Sequence, residues 1–182
     1  MEENPFIEIP QLYWLLLIGG TLLFTCLIPL VILLIMKYNG NIKDLDVSDP
    51  KERTIPYIFT IFSLSLWSTF LQMMQVPSFL YYSSTAITIA LIIVTIITHW
   101  WKISVHLASF GGSIAMLAGI LWYFGIPARN ILIVMFVLAW LLMLARIRLN
   151  AHTPLQTVCG FLLGLTIVFI PNIFDLQSIL NK

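Results

Sequence analysis

The chain has 182 residues, of which 60% are hydrophobic and only 9% charged, with a formal net charge of +1. A soluble domain carries roughly 25% charged residues, so this composition excludes a water-soluble fold and places the chain in lipid. The near-zero net charge also argues against nucleic acid, whose binders need a basic surface.

The first ten residues, MEENPFIEIP, are acidic rather than basic, which does not fit a cleavable signal peptide. After them come six apolar runs, each close to the roughly 20 residues that carry a helix across a bilayer. They lie at about 12–36, 55–75, 79–98, 104–123, 129–146 and 154–171. Lys37-Tyr38-Asn39-Gly40 ends the first run, and a polar stretch to Arg53 follows. Pro77-Ser78 marks a turn, Trp100-Trp101-Lys102 an interfacial anchor, and Gly125-Ile126-Pro127 another turn. Alternating barrel strands are absent, and backbone groups in lipid must be bonded internally, so the runs are expected to be helices. With no linker, low-complexity segment or repeat, the expectation is one all-α domain over residues 1–182, a bundle of six transmembrane helices.

Six crossings place three polar segments on one membrane face, here called face A: "PKERTIP", "KISVH" and "RIRLNAHTPLQ". The loops on the other face are short and hold only Arg129. Each polar segment immediately precedes a helix. Thr54 and Pro56 suit the first turn of the second span, since proline is tolerated there, and Ser104 suits an N-cap of the fourth. Helix N-termini present unpaired N–H groups and a positive dipole end, which attract anions. Lys51, Arg53 and Arg146 add full positive charge, and His106 and His152 complete the set. The combination reads as a phosphate site. Cys26 and Cys159 lie inside apolar runs and suit neither a disulfide framework nor a zinc site.

The blander readings are specific too. Thr153-Pro-Leu-Gln156 fits a capping box. His99 beside two tryptophans reads as an anchor, and Lys102 and Arg148 as charges that flank spans. The Gly160-x3-Gly164 pair continues the stripe through His152 and Gln156 and reads as tight helix packing.

In these residues the chain resembles the integral-membrane type-2 phosphatidic acid phosphatases, relatives of bacterial acid phosphatases and vanadium haloperoxidases. That family carries Lys-x6-Arg-Pro, Pro-Ser-Gly-His and Ser-Arg-x5-His-x3-Asp. The third is matched by Ala145-Arg146, five residues, His152, three residues and Gln156; the second by Ile103-Ser104-Val105-His106. In the first, Arg53 is followed by Thr54-Ile55-Pro56, Asp46 stands at the lysine's position, and Lys51 is the lysine near enough to serve. The resemblance implies that His152 attacks phosphorus and that His106 is the general acid and base. It implies further that Lys51, Arg53, Ser104 and Arg146 hold the phosphoryl oxygens, with Gln156 in the place of the aspartate that orients the nucleophile. It implies no metal and no cofactor, and the sequence has no carboxylate cluster to hold a metal.

Two functions are compatible with this pattern. One is a lipid phosphatase acting on a phosphomonoester or diphosphate whose tail stays in the bilayer, because short loops leave little with which to build a soluble-substrate pocket. The other is a degenerate relative that binds or transports phospholipid without hydrolysis. The partners implied are a phosphate-bearing membrane lipid and the bilayer itself, with no nucleic acid and nothing pointing to an obligate protein partner. The family's habit puts the site outside the cytoplasmic membrane, whereas Lys37, Lys43 and the other face A cations count toward the inside.

Overall fold

The computed structural model describes residues 11–45, 47, 49 and 52–180, with side chains through Asn172. Six helices are long and apolar enough to cross a membrane. They are α1 (Gln11–Tyr38), α2 (Thr54–Met73), α3 (Ser78–Thr98), α4 (Val105–Tyr123), α5 (Arg129–Arg148) and α6 (Pro154–Leu180). Large apolar side chains line their outer surfaces, among them Leu15, Phe62, Ile96, Trp140 and Leu162. In lipid that outward face is the expected one.

Four helices end in the same way. The N–H of Asn41 bonds Met36 O and that of Gly40 bonds Lys37 O; Val76 and Gln75, Ile126 and Gly125, and Ala151 and Asn150 repeat the pair. These are Schellman ends, which need a left-handed residue. Gly40, Gln75, Gly125 and Asn150 supply it, with φ of +74°, +54°, +63° and +52°. The expected breaks at Gly40 and Gly125 are therefore turns for a stated reason.

Helix α1 carries a local defect. Pro29 has no N–H, and its ring crowds the carbonyl four residues earlier, at Thr25. The helix widens into a π turn over Leu23–Leu27, with Ile28 N–H reaching Leu23 O. The Ser63 hydroxyl on α2 donates to the Phe24 carbonyl at 2.7 Å, tying the two helices together at this bulge.

The centre of the bundle is the seam between α4 and α6, with α3 packed against α6 beside it. It is built from residues that lack side chains. A Cβ on Gly164 would overlap the Ala108 carbonyl, one on Gly111 the Phe161 carbonyl, and one on Gly160 would stand 2.5 Å from the Ser104 carbonyl. In lipid there is little hydrophobic gain in bringing two apolar helices together, so close backbone packing carries the association. Toward the opposite face, Asn172 completes the seam. Its Nδ2 donates to Val168 O at 2.9 Å and Ala115 O at 3.4 Å, and its Oδ1 accepts from the Ser83 hydroxyl at 3.0 Å. The amide packs against Gly119. The sixth run was expected to end at 171, but the helix continues through Pro171 to Leu180. Asn172 adds a side-chain donor next to the proline that lacks a backbone one.

Two alanine substitutions separate packing from propensity. Gly164→Ala should destabilise the protein by about 1–3 kcal/mol, as overpacking does. Gly19→Ala, with nothing within 4 Å of its Cβ, should leave stability unchanged or raise it by up to about 1 kcal/mol. Thermal melts of both variants in one detergent check the pair.

Candidate functional site

At the face A end of the seam, the segment before α4 lies against the segment before α6. The Ser104 N–H donates to Gln156 O at 3.3 Å, and the Lys102 carbonyl faces His152 Nδ1 at 3.0 Å. A carbonyl only accepts, so Nδ1 carries the proton of the neutral ring. Nε2 is then left with a lone pair. Gly160 makes this arrangement possible, because it is against Gly160 that the Ser104 backbone packs. Asn150 turns the chain sharply after α5, and the Arg146 carbonyl takes both the Ala151 and His152 N–H groups, which brings His152 back over the bundle.

Arg53 enters from the third segment. It is only 3% exposed, and its Nε donates to the Val47 carbonyl at 2.8 Å. Val47 has φ of +46°, a conformation that costs a β-branched residue energy. Its side chain is nevertheless buried against Met36 and Ile42, and its carbonyl fixes the guanidinium. The neighbouring acid, Glu52, is turned to Lys43: its carboxylate accepts the Lys43 N–H at 3.0 Å and lies 3.7 Å from the ammonium, which also pairs with Asp49 at 3.6 Å. Lys43 is thereby neutralised away from the site.

His152 is buried, and its pKa lies below 6.5. Burial is the main cause, and the positive charges of Arg53 and Arg146 push the same way; the Lys102 carbonyl and, more weakly, Gln156 act against them. Both guanidiniums are therefore close enough for their fields to act on the imidazole. Three buried polar atoms at this end, Arg53 Nη1, Thr98 Oγ1 and Ser104 Oγ, have no hydrogen-bond partner among the described residues. A buried donor without a partner costs about 1–3 kcal/mol, so such atoms mark places kept for a ligand more readily than for stability.

The structure thus gathers Arg53, Ser104, Arg146 and His152, with Gln156 beside them. Ser104 holds the N-cap position of α4, but its hydroxyl makes no cap bond and remains free for another acceptor. Gln156 forms the capping box: its Oε1 accepts the Thr153 N–H at 3.0 Å, and its own N–H reaches Thr153 Oγ1 at 3.4 Å. The Lys102 carbonyl accepts the main hydrogen bond of the imidazole, and the Gln156 side chain contributes a weaker one. His106 is exposed on the second residue of α4, about 200° around that helix from Ala108 at the seam. Lys51 lies outside the described residues. Sequence reasoning missed the main-chain roles of Lys102 and Val47, which no side-chain motif signals, and Thr98, an ordinary helix-end hydroxyl in sequence.

The site has a consistent chemistry. It offers cationic and neutral donors around one neutral imidazole, and no group of three or more metal-ligating side chains occurs among the described residues. That set suits a tetrahedral oxyanion. Comparison with protein-family models, with curated proteins and with solved structures finds no match for this chain.

Histidine NMR of the solubilised protein should show His152 titrating below 6.5 and shifting upward in Arg53→Gln, which removes a repelling charge. In the unfolded chain the imidazole takes its proton first as pH falls below 6.5. Stability should therefore drop from that point until the folded-state pKa is passed, then level off. Gln156→Leu, which deletes the capping box, should lower stability by about 1 kcal/mol in the same melts.

Proposed function

We propose that the protein is a metal-independent lipid phosphatase of the cytoplasmic membrane, related to the type-2 phosphatidic acid phosphatases. The observation that carries this reading is the contact of His152 Nδ1 with the Lys102 carbonyl. It selects the Nδ1–H tautomer, whose Nε2 lone pair lies within the fields of two guanidiniums. The other ingredients are Arg53 Nη1 and Ser104 Oγ, which have no partner among the described residues, and the α2, α4 and α6 N-termini on one face.

In this mechanism Nε2 attacks phosphorus, the P–O bond to the lipid breaks, and protonated His106 gives its proton to the departing oxygen. His106 then accepts a proton from water as that water attacks phosphorus. The N–P bond breaks, phosphate leaves, and both histidines return to their starting states. Arg53, Arg146, Lys51 and the Ser104 hydroxyl stabilise the phosphoryl oxygens as charge spreads over them. Lys102 O, rather than a carboxylate, faces the imidazolium that develops. A neutral carbonyl stabilises that charge less than an aspartate would, which predicts slow turnover.

The exposed position of His106 favours a second reading, a protein that binds or carries a phosphorylated lipid without cleaving it. Phosphate release from detergent-dispersed lipid phosphates separates the two. On the phosphatase reading, His152→Ala abolishes release and the covalent label trapped from radioactive substrate, while the protein still folds. Arg53→Ala lowers kcat/KM by on the order of 10²–10³, the usual loss when a donor to a developing oxyanion is removed. Because neutral His152 is the nucleophile, the acid limb of kcat/KM falls below pH 6.5 and moves upward in the residual activity of Arg53→Ala. Persistent label in His152→Ala, or no release by the parent protein, refutes the assignment.

We further place face A outside the membrane, where a lipid phosphate of the outer leaflet reaches the site. A single cysteine introduced at Lys43 or Asp44 should then react with an impermeant maleimide in intact cells. Labelling only after lysis reverses the orientation.

A further inference from the structure

Beneath the cationic cluster, a cavity of about 510 Å³ runs into the bundle between α1, α2, α3 and α4, with Val168 of α6 also in its lining. Its upper wall is Tyr57 and Val105. Tyr57 N–H bonds the Arg53 carbonyl, and Val105 follows Ser104, so the cavity begins directly below the two residues with unpartnered donors. Its floor is Leu17, Trp67, Leu71 and Leu80, part of a cluster that also buries Val76. From Tyr57 to Leu71 the cavity follows 14 residues of α2, about 21 Å at the helical rise. That is deeper than half of the roughly 30 Å hydrocarbon core.

No charged side chain lines it. Five of the lining hydroxyls, on Thr21, Thr25, Thr60, Ser109 and Ser113, give their protons to carbonyls of their own helices, and Ser84 and Tyr57 carry two more. Chemically the wall is therefore mostly hydrocarbon with a few hydroxyls. Pockets of about 300–1,000 Å³ bury one drug-sized ligand, so this volume suits one long chain. Helices α1 and α4 both line the cavity but do not pack closely on each other, which leaves a lateral gap toward the bilayer.

We infer that this cavity is a chain-length-limited slot for the single hydrocarbon tail of a lipid phosphate, whose headgroup sits at Arg53 and Ser104. The inference deepens the proposed function and rests on it for the headgroup, while the slot itself is testable without catalysis. The tail enters sideways between α1 and α4 and extends past the bilayer midplane. It stops at Trp67 and Leu71. Diacyl phosphates leave one chain with no place in the slot and are poor ligands.

The test uses hexadecyl phosphate carrying a terminal diazirine, added to the full protein in detergent and photolysed, with labelled peptides mapped by mass spectrometry and phosphate release measured in parallel. Label should fall on floor segments around Trp67–Leu71 and Leu80–Ser84, and unlabelled hexadecyl phosphate should compete at least roughly tenfold better than a diacyl phosphate, a difference worth about 1.4 kcal/mol. Ser113→Trp, which fills the cavity midway, should abolish floor label and weaken competition by hexadecyl phosphate but not by butyl phosphate. Label spread over the lipid-facing surface of α5, or equal competition by the diacyl lipid, overturns the slot even if phosphate is released. Floor label without phosphate release from any lipid upholds the slot and overturns the phosphatase reading.

Discussion

The contact on which the rest of the molecule depends is the backbone approach of α4 to α6. Two helices can come this near only where one of them lacks a Cβ at the point of contact, and Gly111, Gly160 and Gly164 meet that condition against the carbonyls of Phe161, Ser104 and Ala108. The consequence is chemical as well as structural. Because Ser104 packs on Gly160, the strand-like residues before α4 run beside the start of α6, and Lys102 O arrives at His152 Nδ1. A main-chain carbonyl thus does what a side chain would otherwise do: it selects the tautomer. The Asn172 clasp secures the same seam toward the other face, where Pro171 has removed a backbone donor.

Around that seam the electrostatics are one-sided. Burying a guanidinium costs free energy unless it is bonded or serves a ligand. Arg53 is bonded through Nε to the Val47 carbonyl, held by a residue in a strained left-handed conformation, and its Nη1 has no partner among the described residues. The acid next to it in sequence, Glu52, is drawn away by Lys43. Local strain and a diverted carboxylate have the same result, a cation with capacity to spare beside a neutral imidazole. Field and burial act together on His152, and both favour the form that has a lone pair to donate.

The hydrocarbon side of the site follows from imperfect packing. Helix α1 touches α2 and little else, and its π turn over Leu23–Leu27 lies along the cavity between Thr21 and Thr25. The polar end and the apolar slot meet at Tyr57 and Val105, so a ligand with a charged head and one long tail matches the whole of it.

Much of this was legible in the chain. Apolar runs of bilayer length, with Gly40, Gly125 and the Pro77 turn between them, determine six helices, because in lipid the backbone has no other way to bond itself. The parity of crossings then puts Arg53, Ser104, Arg146 and His152 on one face, and Gly160-x3-Gly164 marks the seam. Thr153-x2-Gln156 contains its capping box outright, since that bond is local. What sequence left open is whatever depends on a partner distant in the chain. Sequence offered Gln156 alone for orienting His152, and the Lys102 carbonyl, 50 residues away, reaches the imidazole at 3.0 Å only because the seam brings it there. The exposure of His106 depends on the rotation of α4 about its axis, which is set by where its glycines meet α6. The cavity belongs to no segment at all, because empty space between four helices is a property of how they fail to touch.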